Sequence, residues 1–81
     1  MTGIFILYGV SNCSYCLKSK QLLDSMSMIY KYYEVKQEEK TEFLDTISDK
    51  SNNQRTFPLV FHRDEFIGGY TELENYLAFI D

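Results

Sequence analysis

Cys13-Ser14-Tyr15-Cys16 places two thiols two residues apart, a spacing suited to redox exchange, to metal ligation or to a local cross-link. The elements around the pair say which chemistry is favoured. Ile4-Phe5-Ile6-Leu7-Tyr8 reads as a buried strand, and Gly9 through Asn12 as the turn that follows. Beyond Tyr15, Leu17, Leu22, Leu23 and Met26 fall at helical spacing. Cys13 therefore sits where a helix begins, among N–H groups without intrahelical partners. Those donors and the helix dipole favour an anion, lower the thiol pKa and create a nucleophile. Cys16 lies one turn later, within reach to resolve a mixed disulfide.

Two other readings stand beside this one. A closed zinc site needs four ligands; the pair supplies two, and the only histidine, His62, would make a third. A static staple at this spacing closes so short a loop that it constrains the unfolded chain little. A secreted disulfide scaffold would carry more cysteines. The spacing favours redox chemistry, with metal binding as the alternative.

The 81 residues are expected to form one domain over 1–81, burying about 60% of the unfolded surface. A hydrophobic share of 44% with 16% aromatics marks a globular chain. The N-terminal apolar run is too short, and lacks the basic flank, for a signal peptide, and no stretch is long enough to span a membrane. The formal charge of −4 argues against nucleic acid as a partner. A soluble protein of a reducing compartment, the cytoplasm, is expected.

Farther along, Ser14 to about Met26 forms the first helix, and Tyr30 to Val35 suits a second strand. Glu38 to Lys50 reads as a second helix carrying Phe43, Leu44 and Ile47 on one face, its carboxylates a solvated surface. Ser51 to Gln54 is a polar turn, Leu59 to His62 a strand, and Arg63-Asp64-Glu65 a turn into Phe66-Ile67. After Gly68-Gly69, Thr71-Glu72-Leu73-Glu74 has the form of a capping box, and Leu73, Tyr76, Leu77 and Ile80 give the last helix its apolar face. The order is β-α-β-α-β-β-α. The first strand–helix–strand unit should be a parallel crossover and the last two strands an antiparallel hairpin. Tyr8, Tyr30, Tyr32 and Tyr33 read as packing residues, Lys18 and Lys20 as exposed charges, and His62 has no catalytic role.

Three motifs in order, Cys13-Ser14-Tyr15-Cys16, Gln54-Arg55-Thr56-Phe57-Pro58 and Gly68-Gly69-Tyr70-Thr71-Glu72, resemble those of the glutaredoxin family, small dithiol class. The likeness spans essentially the whole chain. It implies a thioredoxin-like α/β fold, a four-stranded mixed sheet flanked by three helices. It also implies a monomeric glutathione-dependent thiol–disulfide oxidoreductase that reduces protein disulfides and protein–glutathione mixed disulfides. Cys13 and Cys16 would be catalytic. Glutathione, the co-substrate, would lie against Tyr15, Arg55, Thr56, Phe57, Pro58, Gly69, Tyr70, Thr71 and Glu72. The Phe57–Pro58 bond would be cis, leaving the Phe57 backbone to pair with the cysteinyl part of glutathione. The start of the last helix would hold the γ-glutamyl carboxylate.

Three positions depart from the family pattern. Val10 stands where many members carry Lys or Arg; the absent cation is worth about 0.5–1 kcal/mol unless Arg55 or Gln54 substitutes. Glu72 replaces the usual aspartate. Ser14 replaces proline, offers a hydroxyl to the thiolate, and raises an alternative in which Cys13 and glutathione ligate a [2Fe–2S] cluster. A second alternative is reduction by thioredoxin reductase in place of glutathione.

Overall fold

In the computed structural model, which describes residues 3–79, the elements follow the expected order. Strand β1 is Phe5–Gly9, helix α1 Ser14–Ser25, strand β2 Tyr30–Glu34, helix α2 Lys40–Ile47, strand β3 Leu59–His62, strand β4 Glu65–Gly68 and helix α3 Tyr70–Ala78. The sheet runs β2-β1-β3-β4. β1 pairs parallel with β2, Leu7 opposite Tyr32, and antiparallel with β3, Tyr8 opposite Leu59. β3 and β4 form the antiparallel hairpin. Its two-residue loop, Arg63-Asp64, has φ of 56° and 64°, the doubly positive turn whose twist matches that of paired strands.

Alternation along β1 explains the layering. Phe5 and Leu7 point to one face and pack with Val60, Leu23 of α1 and Leu73 and Leu77 of α3. Ile6 and Tyr8 point to the other and pack with Leu59, Phe61 and Leu44 of α2. Two helices thus cover one face and one the other, with β1 and β3 buried between them. His62, 1% exposed, stacks on Phe5 with ring centroids 4.0 Å apart, and its Nδ1 lies 2.6 Å from the Tyr76 hydroxyl.

Four expectations need correction. α1 buries Cys16, Ser19 and Leu23, whereas Leu17 and Met26 are exposed. The second helix covers 40–47 instead of 38–50, preceded by a single tight turn at Gln37–Glu39. It stops because polar side chains and tightened bonds take over its carbonyls: Ser48 Oγ donates to Asp45 O, Ser51 Oγ to Ile47 O, and Asn52 and Asn53 adopt positive φ. α3 starts at Tyr70, with Gly69 as its cap, so Thr71 and Glu74 form no capping box. Lys20 is half-buried, its Nζ 4.0 Å from the centre of the Tyr32 ring. Ile80 lies outside the described residues.

Candidate active site

Asn12, with φ of 56°, turns the chain leaving β1 sharply into α1. Cys13 follows in an extended conformation and caps the helix: its Sγ accepts the Cys16 N–H at 3.1 Å. A sulfur in the place usually held by a Ser or Asp oxygen receives an orphan backbone donor and the positive end of the dipole. No acidic residue in the first turn of α1 opposes a negative charge there. The two cysteines are joined as a disulfide with Cα atoms 5.2 Å apart, so the sulfurs reach one another within ordinary disulfide span. Cys13 is half-exposed and Cys16 is 1% exposed, so an incoming thiol or disulfide meets Cys13 first.

Sheet register brings the other two motifs to the same end. With Tyr8 opposite Leu59, Pro58 falls beside Gly9, at the mouth of the cysteine loop. The Phe57–Pro58 bond is cis. The ring of Phe57 is half-buried near Phe43 of α2, centroids 6.2 Å apart. At Gly69 the start of α3 comes so close that a Cβ would sit 3.5 Å from Pro58 O. Tyr15, 54% exposed, approaches Tyr70 with ring centroids 5.7 Å apart, bridging the cysteine loop to that helix start. Tyr15, Pro58, Gly69 and Tyr70 are thereby drawn together; Thr56 and Thr71 are exposed beside them.

Three polar residues are already engaged. Glu72 Oε1 accepts the Gly69 N–H at 2.8 Å, closing the α3 cap two residues ahead of the box read from sequence. Arg55 Nη1 lies 2.9 Å from Asp45 Oδ1 of α2. Gln54 Nε2 donates to Thr56 O and Pro58 O, bracing the proline loop. Gln54 is thus committed to the proline loop, whereas Arg55 shares an exposed ion pair with Asp45. The Ser14 hydroxyl is exposed and makes no hydrogen bond to a described residue while Cys13 is held in the disulfide. What sequence reasoning missed is Tyr32, whose hydroxyl reaches Gly9 next to Cys16 Sγ. The signal was a glycine ending β1, where a parallel neighbour can cross the bare backbone.

A family model for glutaredoxins matches residues 5–67. The chain belongs to the glutaredoxin family. Glutaredoxin 1 of Rickettsia prowazekii is 38% identical over 73 residues, 86% of this chain and 73% of that protein. Mitochondrial glutaredoxin-2 of Bos taurus is 34% identical over 68 residues, 83% of this chain but only 43% of that longer protein. The fold superimposes on glutaredoxin 1 of Francisella tularensis with a TM-score of 0.81 at 23% identity, covering 93% of this chain and 92% of that one. Membership makes the chain a thiol–disulfide oxidoreductase of the thioredoxin fold, and the Cys13–Cys16 pair fits a Cys-X-X-Cys site.

Proposed function

We propose that this glutaredoxin uses glutathione to reduce protein–glutathione mixed disulfides and protein disulfides. The observation that carries the reading is Cys13 Sγ at the cap of α1, accepting the Cys16 N–H at 3.1 Å while Cys16 stays buried. The Cys13 thiolate attacks the glutathione sulfur of a glutathionylated protein. A Cys13–glutathione bond forms, the protein–glutathione bond breaks, and the electron pair leaves on the protein sulfur, which takes a proton from water. The thiolate of a second glutathione attacks the bound glutathione sulfur, releasing glutathione disulfide and the Cys13 thiolate. With a protein disulfide, Cys16 resolves the Cys13 mixed disulfide instead.

Support for the glutathione groove comes from the start of α3, with its first-turn N–H groups beside Pro58, and from the paired rings of Tyr15 and Tyr70. In this reading Thr56, Phe57, Pro58, Gly69, Tyr70, Thr71 and Glu72 line it and Arg55 faces its glycine carboxylate. The test is steady-state reduction of a glutathionylated peptide, coupled to NADPH through glutathione reductase. Wild type and Cys16→Ser should turn over and Cys13→Ser should not; equal loss in both mutants refutes the division of labour. Absence of turnover in folded wild type sinks the glutathione reading, and thioredoxin reductase is then the reductant to try.

The second reading is a [2Fe–2S] cluster, favoured by Ser14. Among the described residues no three His, Cys, Asp or Glu side chains gather to hold a metal ion, so Cys13 would be this chain's single ligand and glutathione and a second copy would supply the rest. Anaerobic reconstitution with iron, sulfide and glutathione decides: a colourless monomer rejects it.

A further inference from the structure

Cys16 is the buried member of the pair, and burial opposes ionisation of a thiol. Yet whenever the Cys13–Cys16 disulfide opens, Cys16 Sγ must receive the electron pair of the breaking bond. The capping donor at the start of α1 does not serve it, because the Cys16 N–H is directed at Cys13 Sγ. Another group must meet that charge.

Gly9 shows where it comes from. A Cβ on Gly9 would run into the Tyr32 hydroxyl oxygen and lie 2.9 Å from Cys16 Sγ. Phenol and sulfur therefore crowd one bare patch of β1, within about 5 Å of each other. Tyr32 reaches this patch from β2, opposite Leu7, and Lys20 Nζ of α1 lies over its ring, 4.0 Å from the centre. The hydroxyl makes no hydrogen bond to any described residue. Burial, and then the charge of Glu34, push this phenol above its ordinary pKa, so at neutral pH it is a donor. Lys20 and Glu34 are the charged side chains facing the cleft that Tyr32 shares with both cysteines.

We infer that Tyr32 donates a hydrogen bond to Cys16 Sγ as the Cys13–Cys16 bond opens and closes, with Gly9 and Lys20 holding it in place. The inference rests on the reading of Cys13 as the attacked sulfur and on no particular reductant. In the opening step a reductant thiolate attacks Cys13 Sγ, a mixed disulfide forms and the Cys13–Cys16 bond breaks. The electron pair leaves on Cys16 Sγ, which Tyr32 hydrogen-bonds until water supplies a proton. The reductant's second thiol then releases Cys13, so the cysteine pair is reduced by two electrons and the reductant becomes a disulfide. In the reverse direction the same donor supports Cys16 as the attacking thiolate.

The experiment uses dithiothreitol, so that a chain without a working glutathione site still reports on Tyr32. Stopped-flow opening of the oxidised protein should slow roughly fivefold in Tyr32→Phe. In the Cys13→Ser protein, thiolate absorbance at 240 nm should show the Cys16 titration move up by about one pH unit when Tyr32 becomes Phe. The direction separates the roles: a merely structural tyrosine, once lost, admits water to Cys16 and moves the titration down. Gly9→Ala keeps the phenol but displaces it, and should reproduce both changes. An unchanged rate with an unchanged titration, or a downward shift in Tyr32→Phe, overturns the inference. Failure of the glutathione-coupled assay with these shifts intact would count against the proposed co-substrate alone.

Discussion

Arg55 and Asp45 meet at 2.9 Å on the surface, and this contact decides what Arg55 can offer a second anion. Both side chains are well exposed, so the pair is weak and readily shared. Asp45→Asn should free the guanidinium and lower the KM for glutathione about twofold with kcat unchanged, whereas Arg55→Gln should raise it about as much. The coupled peptide assay at low ionic strength measures both, and the difference should shrink in added salt. If Asp45→Asn raises KM, Arg55 depends on Asp45 for its position. The type of residue at 55 was legible in the sequence, but its partner was not, because Asp45 belongs to a helix whose end depends on turns at 48–53. Cys13 was legible because its environment is local, a cap set by the three residues that follow. Tyr32 was read as packing, which is half its role; its contact with Gly9 arises from strand register, with no local cue beyond the glycine itself.

Among the elements, α3 shows how two overlapping sequence frames compete. Thr71-Glu72-Leu73-Glu74 has a capping residue at its first position, but the chain uses Gly69 to Glu72 instead. Gly68 decides it: at φ of 132° it turns the backbone before Gly69, and a Cβ there would lie 2.6 Å from Glu72 Cβ. The first helical bond then runs from Leu73 N–H to Gly69 O at 2.9 Å, which fixes Leu73 and Leu77 on the buried face. Glu74 accepts instead from the Tyr70 hydroxyl at 3.4 Å on the surface. Urea titrations of Glu72→Gln, Glu72→Ala and Glu74→Ala test the assignment. Glu72→Ala should cost about 1 kcal/mol, and Glu72→Gln, which keeps an acceptor, less. Glu74→Ala should cost no more than about 0.5 kcal/mol. A larger loss at Glu74 than at Glu72 would restore the frame read from sequence. The periodicity of α3 was legible throughout; its first residue was not, because both frames satisfy the pattern and only the turn at Gly68 separates them.

For the whole molecule, the seven tyrosines tie stability to alkaline pH. Burial, followed by the charge and hydrogen bond of Asp24, raises the Tyr30 phenol; burial and then Glu34 raise Tyr32; burial and then Glu74 raise Tyr70. In each case the folded chain holds a proton that the unfolded chain releases at its ordinary value, near 10. A raised folded pKa contributes stability that is fully present below the unfolded value. Above it the unfolded state binds fewer protons, so stability falls as pH climbs through the folded values. Two of the groups lie on β2 and the third at the start of α3, so the loss belongs to no single element. Urea midpoints measured between pH 7 and 11.5 should therefore stay flat on account of these groups up to about pH 9.5 and decline beyond it. Phenolate absorbance at 295 nm should show part of the tyrosine titration delayed in the folded protein and released in urea. Replacing Tyr30, Tyr32 and Tyr70 together by Phe should flatten the alkaline limb. The limb persisting unchanged in that triple variant would place the alkaline sensitivity elsewhere in the chain.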